Sequence, residues 1–130
     1  MKTEYFEDDI IVITDYFENG NIKNKYWFRK NKLYRKDGPA AIEYYKNGKI
    51  KKEYYYKDNR FKSSKGTPTV KYYYENGNIQ KEIWYNSKNK YHRKNGPAII
   101  EYNNDGKIIS EKYYIKGNEI DELVILVSEN

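Results

Sequence analysis

One eight-residue phrase recurs four times in this chain, as DYFENGNI, EYYKNGKI, YYYENGNI and EYNNDGKI. Its glycines, Gly20, Gly48, Gly77 and Gly106, are spaced by 28, 29 and 29 residues, and Pro39, Pro68 and Pro97 recur every 29. Self-similarity at a fixed period of this size restricts the chain to architectures in which each unit buries its apolar face against the next copy.

Asn-Gly, or Asp-Gly in the last copy, flanked by tyrosine and isoleucine is a strong hairpin signal. It predicts a type I′ turn with positive φ at both central residues. Four positions before each glycine stands Tyr16, Tyr44, Tyr73 or Tyr102, and two after it Ile22, Ile50, Ile79 or Ile108. Seven residues past the glycine comes one aromatic row (Trp27, Tyr55, Trp84, Tyr113) and at eight a second (Phe28, Tyr56, Tyr85, Tyr114). Neighbours on a strand point to opposite faces, so each face of the sheet receives a row of rings, with cross-strand ring contacts as the stabilising unit.

The hairpins are joined by RKNKLYRKDGPA, KDNRFKSSKGTPT and NSKNKYHRKNGPA. Each connection holds a polar turn, one apolar anchor (Leu33, Phe61 or Tyr91), a basic loop, and proline at the threshold of the next strand, where a missing N–H costs least. Thr67 stands where the other connections have Gly38 and Gly96, so the middle loop is expected to be the least regular. No stretch has the apolar spacing of a helix. The expected fold is all-β: an elongated antiparallel β-meander of four tandem hairpin repeats of about 29 residues with terminal capping strands. It fills one domain over 1–130, with an N-terminal cap at 1–12, repeats at 13–40, 41–69, 70–98 and 99–120, and a C-terminal capping strand at 121–130. Modified terminal units protect the open edges of such arrays.

At 38% hydrophobic and 34% charged residues the chain is poor in ordinary core formers. Seventeen Tyr, four Phe and two Trp compensate, because rings bury a large area and tyrosine keeps a polar tip for a wet edge. That content also separates the chain from disordered sequences. Without cysteine there is no disulfide frame and no thiolate metal site, and His92 alone makes no multi-histidine centre. No cofactor is expected. The start MKTEYFEDDI carries acid where a secretory leader needs base, and IIVI and LVILV are too short to span a bilayer. The expectation is a protein without a transmembrane segment, located in the cytoplasm, of the host if viral, or in the virion.

Charge is unevenly distributed. Residues 1–20 carry −5, residues 21–94 carry +15 and residues 95–130 carry −4. Equivalent loops should align along one sheet edge, placing Arg35, Lys36, Lys62, Lys65, Arg93 and Lys94 in a basic row beside the rings of Trp27, Tyr55, Trp84 and Tyr113. Such a row could hold phosphates and stack bases. It equally serves as a coat of charge that keeps strand edges from pairing wrongly.

The segments YYKNGKI, KEYYY and YHRKNGPAIIEY resemble the variant MORN-type repeats of bacterial YwqK-like antitoxins and of related arrays in giant viruses and AT-rich bacterial genomes, over residues 10 to 118. The resemblance implies an elongated sheet of hairpins used for protein interaction, in some members for attachment at membranes. For the YwqK-like members it implies an antitoxin-like inhibitor of a toxin partner.

Reactive chemistry finds no support in the repeat. His92 has Tyr34 and Lys62 as its counterparts, and so reads as an exposed polar residue at a loop edge. Glu53, Glu82 and Glu111 recur at one position and read as cross-strand partners of Lys51, Lys81 or Lys112 rather than as an acid–base pair. There is no phosphate-binding glycine loop, HExxH, GxSxG or EF-hand spacing. The expected function is a non-enzymatic MORN-like interaction module or scaffold for a protein partner. Alternatives are a binder of nucleic acid or an anionic surface through residues 21–94, and an antitoxin-like inhibitor.

Overall fold

The computed structural model describes residues 1–57, 60–61 and 66–121. Strands β1 (Lys2–Tyr5), β2 (Ile10–Tyr16), β3 (Ile22–Arg29) and β4 (Lys32–Leu33) open the chain. Then come β5 (Ala41–Tyr44), β6 (Ile50–Tyr54), β7 (Tyr56–Lys57) and β8 (Arg60–Phe61). The remaining strands are β9 (Val70–Tyr73), β10 (Ile79–Ile83), β11 (Ile99–Tyr102), β12 (Ile108–Ile115) and β13 (Asn118–Ile120). Among the described residues eleven strands form one open antiparallel sheet in the order β1-β2-β3-β5-β6-β9-β10-β11-β12-β13, with β4 beside β3, while β7 and β8 form a separate pair. At ~4.8 Å per strand the ten-strand path extends roughly 45 Å. No helix among the described residues is long and apolar enough to cross a membrane.

The all-β meander is as expected. The N-terminal cap contains a strand of its own: β1 pairs with β2 from Lys2↔Thr14 to Tyr5↔Ile11, taking the place of a preceding unit's returning strand. The capping strand expected at 121–130 lies outside the described residues except for Asp121.

The turn type differs from the expectation. In the first repeat the Phe17 N–H donates to the Asn21 carbonyl at 2.8 Å and the Gly20 N–H to the Phe17 carbonyl at 3.0 Å, and the same pair of bonds recurs at Tyr45, Tyr74 and Asn103. Only the glycines have positive φ, 90 to 96°, and the Asn or Asp before each does not. This is a type I turn closed by a glycine bulge, and the strand register slips by one residue just before each turn. The primed geometry occurs at the opposite edge of the sheet. There the two-residue turns Lys30-Asn31 and Lys116-Gly117 have positive φ at both residues and join Arg29↔Lys32 and Ile115↔Asn118. Asn-Gly is compatible with both turns, and here it forms the longer one.

Register sorts the side chains into two faces. One cross-strand row runs Thr3, Ile13, Tyr26, Ala41, Tyr54, Val70, Ile83, Ile99, Lys112, apolar in its middle and polar at both ends. Val70, Ile83 and Ile99 form its buried core, with Tyr54, Tyr72, Tyr85, Tyr91 and Tyr114 packed over them. We call this the tyrosine face. Tyr85 lies 5.2 Å from Tyr91, and Tyr91 lies 5.1 Å from Tyr114, within the range of favourable ring contacts. The adjacent row faces the other way and reads Lys2, Thr14, Lys25, Ile42, Glu53, Lys71, Glu82, Ile100, Glu111. This second side also carries Trp27 opposite Val12 and is the loop face. A single-layer sheet has no second sheet to cover it, so rings and loops close each face instead.

Candidate functional site

The first and third connections lay their arginines on the loop face, while Tyr91 of the third packs on the tyrosine face. Arg35 lays its guanidinium over the Trp27 ring, 4.0 Å from the centroid, and Arg93 does the same over Trp84 at 3.9 Å. Each arginine also donates from Nη1 to a carbonyl of its own loop, Pro39 at 3.1 Å and Pro97 at 3.2 Å. Gly38 and Gly96 lie beneath the guanidiniums: a Cβ there would meet Arg35 Cζ at 2.9 Å or Arg93 Cζ at 3.0 Å. The glycine therefore makes room for the guanidinium rather than serving a positive φ. Trp, Arg and Gly act as one clip that fastens the loop to the sheet, with a cation–π contribution of about 0.5–2 kcal/mol. The buried Trp84 Nε1 has no acceptor among the described residues, so that ring acts through its area and π face.

The expected basic row is thus divided. Arg35 and Arg93 occur at equivalent places but each is engaged within its own loop, while Lys36 and Lys94 are exposed. Lys62 and Lys65 lie outside the described residues, as does part of the middle loop expected to be least regular. Trp27, Tyr55, Trp84 and Tyr113 share the loop face as expected, with Trp84 buried and the other three half-buried. The clip itself was legible in the sequence: Trp, Arg and Gly occur together in the first and third connections, and Tyr55, Ser64 and Thr67 replace all three in the second.

The repeating carboxylates are used differently from the expectation. Glu53 accepts the Tyr73 hydroxyl and Glu82 accepts the Tyr102 hydroxyl, each tyrosine coming from the next unit. Register puts Lys71, not Lys51, Lys81 or Lys112, opposite both Glu53 and Glu82, and Lys81 instead pairs with Glu101 at 3.4 Å. A carboxylate that accepts a phenol hydroxyl in a partly desolvated sheet gives a stronger bond than a neutral acceptor would. Burial first, then the Glu82 hydrogen bond, pushes the Tyr102 phenol up to about 12. Burial and Glu53 raise Tyr73 likewise, and on the tyrosine face burial and Glu43, which accepts its hydroxyl at 2.8 Å, raise Tyr54.

The turn edge carries a second ladder. Tyr45 donates to the Tyr73 carbonyl at 2.6 Å and Tyr74 to the Tyr102 carbonyl at 2.7 Å, each reaching one unit forward. The turn asparagines do the same: Asn19 to the Lys46 carbonyl (2.9 Å), Asn47 to Glu75 (3.2 Å) and Asn76 to Asn104 (3.2 Å). In the last unit these donors give way to Asn103 and Asp105, and in the first Phe17 lacks the hydroxyl.

His92 is more than an exposed loop residue. Its Nδ1 accepts the Lys116 N–H at 3.0 Å, tying the third connection to the final hairpin. Among the described residues no three His, Cys, Asp or Glu side chains gather as a metal site. A cleft of about 700 Å³ between the Asp8–Asp9 turn and the first connection mixes those acids and Asp37 with Arg29, Lys30 and Lys36.

The family model described as MORN repeat variant matches residues 40–58 and 69–87. Both segments begin at the small residue buried after the proline, Ala40 or Thr69, and run through the Asn-Gly hairpin, so the match falls on the structural unit derived above. Repeats of this kind are generally modules that bind proteins or membrane lipids. No curated protein and no solved structure gives a significant match to the chain.

Proposed function

We propose that this chain is a non-enzymatic interaction module that binds a protein partner through its tyrosine face. The observation that carries this reading is the fate of the side chains that recur. Among the described residues Trp and Arg fasten loops, Tyr and Glu join neighbouring units, and Asn orders the turns, so these recurring groups are engaged in structure. What varies between units lies on the tyrosine face near the turns, where Glu43, Lys52, Tyr72, Lys81 and Glu101 follow one another across five strands. Lys52 lies 5.0 Å from the Tyr72 ring, and the strip is bounded by a carboxylate at each end. Tyrosine with flanking charge of both signs suits a protein surface, where aromatic anchors carry affinity and rim charges set orientation.

An antitoxin-like role is one form of this reading, with a toxin as the partner, and a cytoplasmic location belongs to the same proposal. Binding of nucleic acid through residues 21–94 is the competing reading, supported by their +15 charge. It predicts affinity that falls steeply with salt.

The deciding experiment captures partners from the native host and identifies them by mass spectrometry, with the wild-type chain beside Lys52→Glu/Lys81→Glu. A protein retained by the first and lost by the second is expected. Turnover that depends on His92 or on the glutamate row would overturn the reading, and so would retention of nucleic acid alone.

A further inference from the structure

The polar strip on the tyrosine face continues beyond the five residues named above. Register carries it to Asn24 and Asp15 on one side and to Ser110 on the other, so one residue from each of eight strands stands in line. At ~4.8 Å per strand the line is about 34 Å long. In order it reads Asp15, Asn24, Glu43, Lys52, Tyr72, Lys81, Glu101, Ser110. All eight keep part of their surface in solvent. Three carboxylates against two ammonium groups leave the line at −1, although residues 21–94 as a whole carry +15.

Read backwards, the line complements itself. Two copies laid face to face about a twofold axis parallel to the strands present it in opposite directions. With the axis between β6 and β9, Lys52 meets Tyr72 of the copy, Glu43 meets Lys81, Asn24 meets Glu101 and Asp15 meets Ser110. Each contact occurs twice, and each joins a cation to a ring or a carboxylate, or a neutral donor to a carboxylate. An axis on Tyr72 would instead oppose Glu43 with Glu101 and Lys52 with Lys81, and one on Lys52 would oppose that residue with itself. Axes between β5 and β6 or between β9 and β10 avoid like charges but leave one end of the line unmatched. Only the axis between β6 and β9 matches all eight positions.

The contacts already made within the chain leave these groups capacity for more. Glu43 accepts the Tyr54 hydroxyl at 2.8 Å, Lys81 lies 3.4 Å from Glu101, and Lys52 lies 5.0 Å from the Tyr72 ring. A carboxylate has lone pairs, and an ammonium N–H groups, beyond one such partner. In the pair Lys81 bridges Glu101 of its own chain and Glu43 of the copy. Sheet twist turns the outer strands away from their opposites, so the match is tightest at the four central residues and loosest at Asp15 and Ser110.

We propose that the partner met by this strip is a second copy of the chain, in a face-to-face dimer whose twofold axis lies between β6 and β9. The inference rests on the protein-partner reading and deepens it by naming the partner. A strip this narrow is smaller than a standard interface, so the dimer should form at about 10–100 µM rather than at nanomolar concentration.

The test follows the mass of the full chain by sedimentation from about 5 µM to about 1 mM. A rise from 15.8 kDa towards twice that value is expected. Lys81→Glu sets like charge against Glu43 of the copy, and Glu43→Lys sets it against Lys81, so each variant alone should associate about tenfold more weakly or worse. Mixed in equal amounts, the two variants should recover the wild-type affinity, because every Glu43–Lys81 contact between unlike chains again joins opposite charges. A role confined to the folding of one chain would not produce that recovery. If the amide spectrum shows that a variant fails to fold, the wild type carries the test. A half-labelled sample should then show isotope-filtered contacts between the Lys52 side chain and the Tyr72 ring of different chains. A wild-type chain that stays at 15.8 kDa at about 1 mM, a dimer that neither variant weakens, a mixture that fails to recover, or absence of the filtered contacts would each overturn the proposal. If the chain stays single while Lys52→Glu/Lys81→Glu still loses a captured protein of different sequence, this inference falls alone and the reading on which it rests stands.

Discussion

The two long edges of this sheet are held in opposite ways. At the turn edge, bonds run from unit to unit: Tyr45 and Tyr74 reach the next unit's carbonyls, and Asn19, Asn47 and Asn76 follow them. The asparagines are small and exposed, and the tyrosines act through hydroxyls at half-buried rings. At the loop edge the clips close within a unit, as Arg93 covers Trp84 and bonds to Pro97 above Gly96, and only the third connection also reaches the next hairpin among the described residues, through His92 and Tyr91. Those groups are large and bury area. The difference separates two tasks that a compact core performs together: the clips close each unit, and the turn edge sets the units in line.

If that division holds, damage at the loop edge should be the larger. Trp84→Ala removes a side chain that is 5% exposed and should cost about 3–5 kcal/mol, read from the urea midpoint. An equal loss from Asn76→Ala would break the comparison. Gly96→Ala forces a methyl against Arg93 and should cost about 1–3 kcal/mol. In that background Arg93→Ala should cost little more, because the guanidinium has already been displaced, and full additivity in the double-mutant cycle would contradict the clip.

Alkaline pH tests the junctions between units. Tyr102 is pushed up to about 12 in the folded chain, against about 10 for an unfolded tyrosine. The folded state holds that proton more tightly, so stability is complete below pH ~10 and declines as pH rises towards ~12. Thermal melts across that window should show the decline, and Tyr102→Phe should reduce it, leaving the part that Tyr54 and Tyr73 contribute.

The smallest effects belong to the turn edge. Tyr74→Phe deletes one hydroxyl bond to the Tyr102 carbonyl and should cost about 1 kcal/mol. Phe17→Tyr places a hydroxyl where the inner units have one, within reach of the Tyr44 carbonyl by equivalence. It should add about 0.5–1 kcal/mol in the same denaturation assay.

The sequence disclosed most of the fold because the period, the turn glycines and the strand-entry prolines are backbone requirements, and those repeat with the backbone. The two ring rows were legible from strand alternation alone. Side-chain pairing was less so: Glu53 sits beside lysines in sequence, but a register offset between units, visible only when strands are placed, brings Tyr73 to it. The turn type was misread because Asn-Gly satisfies two turns of different length. The clip lay in plain view as the joint change of Trp, Arg and Gly between connections, yet Arg35 and Arg93 first suggested a ligand site, since a row of cations carries no sign of the ring beneath it.

Because each inner unit donates forward and accepts from behind, the array has a direction, like bricks with a peg on one side and a socket on the other. Lengthening by gene duplication would succeed most readily between Tyr44 and Tyr102, where an added copy meets matching neighbours on both flanks. A copy appended after the fourth unit would find Asn103 and Asp105 in place of the pegs. Copy number in such proteins should therefore grow from the middle outwards, with the terminal units inherited unchanged.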